Sequence, residues 1–376
     1  QMYIRDSLSA FLLLFSLIEK GQATETYRPE TSVAGFIQLP GSGRQVYNFN
    51  PGWRFFRGDV RGAEVVNFDD RSWNVVSTPH TVELMPAEGS GCRNYQGPAW
   101  YRKHFVLPAE TKGQRVVLHF EAAMGKQILY LNGKRIQEHL GGYLPFTLDL
   151  TANGVQAGDS CLLAVFTDNS DDKSYPPGKR QYTLDFAYHG GIYRDVWMIA
   201  KSPVAITDAI DSQTVGGGGV FIHFDKISEK SAQVYVNTEV QNDDARSESV
   251  TVETTLTDAD GKVIKRSSGK LSLKPGEKKS ICQQMEVKNP TLWSPDTPYL
   301  YRVQSRIKKG NKSIDGGITR VGIRLAEFRG KDGFWLNGKP FGQLVGANRH
   351  QDFAYVGNAL PVSYTHLRAH ETRRHL

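Results

Sequence analysis

Cysteine is scarce in this 376-residue sequence, which contains only Cys92, Cys161 and Cys282, all far apart along the chain. This number and spacing match neither a disulfide framework nor a zinc site, both of which need paired or closely spaced cysteines. We therefore expect buried thiols. The sequence leaves open whether two of them pair if the protein is exported.

Long hydrophobic runs are also missing. The apolar run at residues 8–18 has about 11 residues, whereas a helix needs about 20 to span a bilayer. Arg5 precedes this run and small residues follow it at 21–23, an order typical of a secretory signal peptide. We therefore predict no membrane span, a signal peptide over residues 1–23, and export to the periplasm or the cell exterior. The alternative is a core helix near the N-terminus.

The sequence does not indicate a concentrated basic surface either, although the formal net charge is +7. The Lys and Arg residues are scattered, and none of their runs is interleaved with aromatics as in nucleic-acid-binding proteins. The sequence therefore predicts no nucleic-acid partner. A composition of 39% hydrophobic and 23% charged residues is typical of a globular protein, and the length predicts two or three domains.

Short β-rich runs bounded by Gly, Asn and Asp are abundant from about residue 47 onward. Examples are residues 115–120, 127–131 and 162–167, and the pair Asn132-Gly133 is a type I′ hairpin signal. Strands that recur about every 8–12 residues predict a β-sandwich of jelly-roll type over residues 46–203.

A second set of runs predicts an immunoglobulin-like β-sandwich over residues 204–322, with about seven strands. Its runs are residues 220–224, 232–240, 249–258, 262–270 and 279–287. Four consecutive glycines at 216–219 are expected to form a flexible loop, because no helix follows them to make a phosphate cradle.

A third unit begins near residue 323. Residues 334–341 predict a hairpin around Asn337-Gly338, and residues 343–347 predict a buried strand.

The last residues, 362–376, contain three His and three Arg and continue no strand or helix pattern. We interpret them as a non-native tail, with a genuine His/Arg-rich loop as the alternative.

Four local sequences, in the right order, resemble glycoside hydrolase family 2 over about residues 47–360. They are TDNS at 167–170 with GGIYRDV at 190–196, NPTLWSPD at 289–296 with PYLY at 298–301, FWLNGKPF at 334–341, and GANRHQD at 346–352. The resemblance implies an all-β chain of two sandwiches, namely a sugar-binding jelly-roll domain and an immunoglobulin-like domain. It also implies that residues 323–361 begin a truncated TIM (β/α)8 barrel.

The resemblance further implies that the whole enzyme hydrolyses β-galactosides with retention, using two Glu carboxyl groups about 5–5.5 Å apart. Both would lie on later barrel strands. We therefore assign no catalytic residue here and expect the chain alone to be inactive. Family members acting on β-glucuronides or β-mannosides, and a non-catalytic carbohydrate-binding or adhesion protein of two β-sandwiches, are the alternatives.

Sugar-contacting residues are implied by the same resemblance. His350 matches a family position that bonds sugar hydroxyls, and Asp168 matches an aspartate that reaches the substrate and in some members holds sodium. Asn348, Arg349 and Asp352 are implied to support substrate binding. The alternatives are a surface histidine at His350 and an Asx-turn at Asp168.

Other properties implied for the full-length enzyme are a bound Na⁺ or Mg²⁺ and assembly into a homo-oligomer, with carbohydrate as the partner.

Several residues of these motifs are expected to have structural roles instead of binding sugar. Arg194 and Asp195 are expected to tie strands at a domain interface, Tyr101 and Arg102 to support the fold, and Trp293 to lie in a core or interface.

Overall fold

The computed structural model of the protein describes residues 26–32, 38–86, 94–184, 189–346 and 353–360. The predicted signal peptide, the predicted tail and Cys92 lie outside these ranges. The described chain is nearly all β, with three short 3-10 helices at Ala109–Thr111, Gln181–Thr183 and Gly330–Asp332. None of the helices in this part of the chain is long and apolar enough to cross a membrane. The predicted all-β fold is confirmed.

The first sandwich has two antiparallel sheets. Its strands are β1 (Glu30–Thr31), β2 (Gln45–Asn48), β3 (Trp53–Arg57), β4 (Asn74–Val76), β5 (Pro98–Val106), β6 (Arg115–Phe120), β7 (Lys126–Leu131), β8 (Lys134–Leu140), β9 (Phe146–Asp149), β10 (Ser160–Asp168) and β11 (Val196–Lys201). One sheet has the order β1-β2-β11-β6-β9 and the other β4-β3-β5-β10-β7-β8. The strands predicted at residues 115–120, 127–131 and 162–167 are confirmed as β6, β7 and β10.

Aromatic side chains dominate the core of this sandwich. The ring of Phe49 meets those of Trp53 and Phe105 edge to face, with centroids 5.8 and 5.1 Å apart. Tyr101 and Phe120 are also fully buried, so the structural role predicted for Tyr101 is confirmed. Burying one such side chain contributes about 1.5–3 kcal/mol, and these rings therefore hold the two sheets together.

A buried ion pair fixes the long loop between β3 and β4. Arg102, which is fully buried, donates from Nε to Asp70 Oδ2 at 2.8 Å and from its other nitrogens to the carbonyl oxygens of Val65 and Phe68. His104 Nε2 lies 2.9 Å from the same Asp70 oxygen. Burial acts to raise the pKa of Asp70, but the hydrogen bonds from His104 and Arg102 outweigh it and lower the pKa. The structural role predicted for Arg102 is confirmed.

The second sandwich also has two antiparallel sheets. Its strands are β12 (Val204–Ile206), β13 (Val220–Asp225), β14 (Ser231–Asn242), β15 (Glu248–Thr257), β16 (Val263–Leu273), β17 (Lys278–Lys288), β18 (Tyr301–Lys309) and β19 (Lys312–Val321). In one sheet β14 pairs with β12, β13 and β17, and the other has the order β16-β15-β18-β19. Alternation along β14 turns Ala232, Val234 and Val236 into the core.

The last two glycines of the run at 216–219 are buried and closely packed, which corrects the predicted flexible loop for that half of the run. A Cβ on Gly218 would lie 2.1 Å from Ser212 Oγ. Gly219 N donates to Thr207 Oγ1 at 2.8 Å, and that hydroxyl donates to the buried carboxylate of Glu239 at 2.8 Å. Gly218 is needed because the backbone approaches Ser212 too closely for a side chain, whereas a Cβ on Gly216 would meet nothing within 4 Å.

A second buried carboxylate joins the two sandwiches. Asp315 of β19 is fully buried and accepts two hydrogen bonds from Arg44, from Nε and Nη2, both at 2.8 Å. The backbone N of Ile206 donates to the same carboxylate at 2.8 Å. Because Arg44 belongs to the first sandwich and Ile206 to the second, this carboxylate fixes their relative packing.

A small third sheet, β20 (Ala326–Phe328), β21 (Phe334–Leu336) and β22 (Lys339–Pro340), follows the second sandwich. Asn337 and Gly338 have φ of 54° and 77°, which confirms the predicted hairpin. Trp293 is half-buried against this sheet, its carbonyl oxygen accepting from Asn337 Nδ2 at 3.0 Å, as predicted for an interface residue. Residues 343–346 are exposed and form no strand, so the predicted buried strand is wrong over its described part.

The two described cysteines differ in environment. Cys161 is buried as predicted, and burial raises its pKa to about 11. Cys282 is exposed because it occupies an outward-facing position of β17, so the prediction of a buried thiol is wrong there.

Candidate functional site

Asp168 is the last residue of β10, where it lies opposite Pro98 of β5 and Lys126 of β7. It is half-buried, and its Oδ1 accepts a hydrogen bond from Ser170 N at 2.8 Å. This is the Asx-turn that the sequence offered as the alternative. Within the described ranges no hydrogen bond reaches Oδ2 of this carboxylate, so the turn leaves one oxygen to accept from a ligand.

The next residue, Asn169, holds this strand end in place. It is buried, its Oδ1 accepts from Gly97 N at 3.0 Å, and its Nδ2 donates to the Tyr95 carbonyl oxygen at 2.8 Å. These bonds attach the end of β10 to the segment that leads into β5. Sequence reasoning did not assign Asn169 a role, although a short amide directly after a strand was a signal for one.

The loop after Asp168 is fixed further along by Asp171. Its Oδ1 accepts from Gln96 Nε2 at 2.8 Å and from Gln181 N at 2.9 Å. Two segments that are distant in sequence therefore meet at Asp171 and form one edge of the site.

Two tyrosines lie close enough to Asp168 to respond to its charge. Burial, followed by the negative charges of Asp172 and Asp168, raises the pKa of Tyr175 to about 12. Burial raises the pKa of Tyr95 against the opposing charge of Arg57, and Asp168 raises it further. Both phenols are therefore protonated at neutral pH. Sequence reasoning missed both, because only the fold brings them to Asp168.

The glycines of the GGIYRDV segment pack directly on this strand end. A Cβ on Gly190 would lie 2.7 Å from Asn169 Cγ. Gly191 has a φ of 102°, and a Cβ there would lie 2.3 Å from Tyr101 Oη. The two halves of the first motif, TDNS and GGIYRDV, are thus in contact.

The charged pair in that motif makes contacts within the first sandwich. Asp195 is buried and accepts from Asn50 Nδ2 at 2.8 Å, and the guanidinium of Arg194 lies 5.7 Å from the ring centre of Tyr193. Asn50 Oδ1 also accepts from Val196 N at 2.7 Å. All these partners belong to the first sandwich, and the tie at a domain interface stays a prediction.

Residues 353–360 pack against the first sandwich beside these glycines. Tyr355 O accepts from Met85 N at 2.8 Å, and a Cβ on Gly357 would lie 2.2 Å from His189 Nε2. Val356 and Ala359 pack with a cluster that includes Met124. The other predicted sugar contacts, His350, Asn348, Arg349 and Asp352, lie outside the described residues, so Asp168 alone can be placed.

A metal site at Asp168 is not supported by its surroundings. In the portion of the chain that the structure describes, no group of three or more His, Cys, Asp or Glu side chains is arranged to hold an ion. Asp168 supplies a single carboxylate, and one of its oxygens already accepts from Ser170 N. We therefore derive no step through Na⁺ or Mg²⁺.

Comparison with known proteins assigns this site to a family. The model described as "Glycosyl hydrolases family 2, sugar binding domain" matches residues 65–203, and the one described as "Glycosyl hydrolases family 2" matches residues 218–324. The chain belongs to glycosyl hydrolase family 2. Asp168, Tyr95, Tyr175 and the GGIYRDV segment all lie within the part of this family 2 chain that matches the sugar binding domain.

Relatives of this family 2 protein carry two different names. It is 33% identical to a β-glucuronidase of Formosa agariphila over 341 residues, covering 86% of this chain and 34% of that protein. It is 34% identical to a β-galactosidase of Thermoanaerobacter pseudethanolicus over 319 residues, covering 85% of this chain and 40% of that protein. The chain thus spans well under half the length of both relatives.

A solved structure gives the same result. The β-glucuronidase 2 of Bacteroides uniformis, with cyclophellitol-6-carboxylate aziridine covalently bound, superposes with a TM-score of 0.78 at 31% identity. The match covers 88% of this chain and 38% of that one. The family resemblance stated from the sequence is confirmed, whereas the choice of galactoside is not decided.

Proposed function

We propose that this family 2 chain is the sugar-contacting N-terminal part of a retaining β-glycosidase that acts on β-galactosides. The observation that supports this is the carboxylate of Asp168, whose Oδ2 is left to accept from a ligand within the part of the chain that matches the sugar binding domain. A carboxylate accepts strongly from sugar hydroxyls, and a tyrosine ring can cover the apolar face of a pyranose.

The charge around the site favours a neutral sugar. Asp168, Asp171 and Asp172 place three carboxylates on one loop, where the positive charges of Arg180 and Lys126 act on Asp171 and Asp172. A glucuronide carries its own carboxylate, which these side chains would repel, whereas a galactoside offers hydroxyl donors. A β-glucuronide is the second candidate, favoured by the names of the Formosa agariphila relative and the Bacteroides uniformis structure.

Catalysis itself is assigned to none of the described residues. By the family resemblance, two glutamates would act as nucleophile and acid/base, and His350, Asn348, Arg349 and Asp352 remain proposed sugar contacts. We further propose that the protein is exported, that the catalytic glutamates belong to a barrel not contained in this sequence, and that the enzyme is a homo-oligomer.

Hydrolysis of nitrophenyl glycosides tests the proposal. The 376-residue chain and the longest protein encoded at its locus would be assayed with nitrophenyl β-galactoside, β-glucuronide and β-mannoside. We expect the 376-residue chain to be inert and the longer protein to prefer the galactoside. Turnover by the shorter chain would disprove the assignment of catalysis to other residues, and a preference for the glucuronide would select the second candidate.

Replacing Asp168 separates its two roles. In the active protein we expect Asp168→Asn to keep the Asx-turn, since the amide oxygen can still accept from Ser170 N, but to lose the charge. A hydrogen bond to a charged group contributes about 1.5–3 kcal/mol, so kcat/KM should fall at least about 10-fold with little change in Tm. Asp168→Ala should lower both. Unchanged kcat/KM in Asp168→Asn would leave Asp168 as a turn residue only.

A further inference from the structure

A cavity of about 400 Å³ lies between the two sandwiches, on the sheet of the first sandwich that does not contain Asp168. One wall comes from β2, β6, β9 and β11, and the other from residues 206–211, 219–220 and 316–319 of the second sandwich. Its volume is within the range of about 300–1,000 Å³ that is usual for small-molecule sites. The proposed function assigns no role to this cavity.

Lys201, the last residue of β11, lines this cavity and is only 6% exposed. Its Nζ donates to the Ile206 carbonyl oxygen at 3.2 Å, and no other acceptor for it is found in the described ranges. Burial, reinforced by the charge of Arg44, lowers the pKa of Lys201 to about 8, so the ammonium is still charged at neutral pH. A buried ammonium with one acceptor is costly, because its other N–H groups need partners.

Acceptors lie across the cavity. Asp208 Oδ2 is 4.0 Å from His119 Nδ1, and Asp211 accepts from the Thr147 hydroxyl. Burial lowers the pKa of His119, so its ring is neutral at neutral pH. The charge of Arg44 is already matched by Asp315. Asp208 and Asp211 therefore line the same cavity as Lys201, and the wall has no excess positive charge to hold a free anion.

The cavity wall also has apolar patches, from Val46, Ile199, Val220 and Ile318. A ligand that suits such a wall must both donate and accept hydrogen bonds, carry no negative charge and present an apolar face. A pyranose sugar meets all three conditions, because each hydroxyl donates and accepts while the ring C–H groups are apolar.

We propose that this interdomain cavity binds a neutral pyranose sugar, with Lys201, Asp208 and Asp211 bonded to its hydroxyl groups. The sugar would contact both sandwiches at once and stabilise their packing beside the Arg44–Asp315 pair. Because Lys201 and Asp168 lie on different sheets, binding here does not depend on the site at Asp168.

Isothermal titration of the 376-residue chain with D-galactose tests this, with Asp168→Asn as the background to silence the other site. We expect saturable binding that Lys201→Met and Asp211→Asn each weaken at least about 10-fold, as expected for one charged hydrogen bond. Lys262→Met, which replaces an exposed lysine at a turn of the second sandwich, is the matched control and should bind like the background.

Either of two results would overturn sugar binding at this cavity. One is the absence of saturable galactose binding in the Asp168→Asn background. The other is unchanged binding in Asp211→Asn, an exposed position where misfolding is not expected. Tighter binding of D-glucuronate than of D-galactose would overturn the assignment of a neutral ligand. The experiment measures binding and not turnover, so a failure to bind galactose is distinguishable from a failure of the proposed glycosidase activity.

Discussion

Replacing Asp70 by asparagine is expected to lower the free energy of unfolding of the first sandwich by about 3–5 kcal/mol, the usual cost of breaking a buried ion pair. Arg102 is fully buried and would lose its counter-charge, while His104 would lose its carboxylate partner. The loop between β3 and β4, which both residues anchor through Asp70, should then detach first. Urea unfolding followed by tryptophan fluorescence would measure the loss, since Trp53 and Trp73 lie in or beside that loop.

The effect of Asp70→Asn should depend on pH. The pKa of Asp70 is lowered in the folded protein, so the stability that its ionised form contributes is present above the unfolded pKa of about 4. It is lost as the pH falls through the folded pKa. The difference between the native protein and the variant should therefore be greatest near neutral pH and shrink below about pH 4.

The neighbouring Asp69 is the matched control for this experiment. It pairs with Arg71, but both side chains are mostly exposed, so Asp69→Asn should hardly change the unfolding curve. Equal destabilisation by Asp69→Asn and Asp70→Asn would contradict this expectation, because Asp70 is buried with Arg102 and His104 whereas Asp69 and Arg71 are mostly exposed.

Gly191→Ala is the second substitution with a large expected effect. The left-handed φ of 102° alone costs a non-glycine residue about 1–2 kcal/mol, and crowding in a packed site adds about 1–3 kcal/mol. The new Cβ would lie 2.3 Å from Tyr101 Oη and 3.0 Å from the His80 carbonyl oxygen, and Tyr101 is fully buried. The Tm of the first sandwich should fall by several degrees.

Gly62→Ala and a double variant separate the two causes. Gly62 also has a positive φ, 82°, but a Cβ there would meet nothing within 4 Å, so its substitution should show only the conformational cost. Combining Gly191→Ala with Tyr101→Phe removes the hydroxyl that the new Cβ would meet, so the double variant should lose less stability than the two single variants together. Equal losses in Gly62→Ala and Gly191→Ala would show that crowding contributes nothing.

Local chemistry explains the parts of the fold that could be predicted from sequence. Asn132 and Gly133 adopt φ of 52° and 81°, as their identities predicted, because few other residues accept a left-handed conformation at two consecutive positions. The alternating runs likewise became β6, β7 and β10. The run at 343–346 was misjudged because apolar residues form a buried strand only when a neighbouring strand covers them, and local sequence does not supply that partner.

The candidate site also has parts that could be predicted from the sequence and parts that could not. Asp168 could be proposed from its motif, and its Asx-turn from its neighbours Asn169 and Ser170. Tyr95 and Tyr175 could not, because the charge of Asp168 acts on them only after the segment before β5 and the loop after β10 are joined through Asn169 and Asp171. Charge interactions act through space, and their partners can be far apart in sequence.

The sequence by itself determined the strand runs, the two Asn-Gly hairpins, the order of the sandwiches and the family, because these follow from backbone preferences and side-chain alternation over a few residues. Only the tertiary structure decided that Gly218 and Gly219 are closely packed, that Asp195 accepts from Asn50 within one sandwich, and that Lys201, Asp208 and Asp211 line one interdomain cavity. These features depend on desolvation and on contacts between distant segments, and both exist only once the chain has folded.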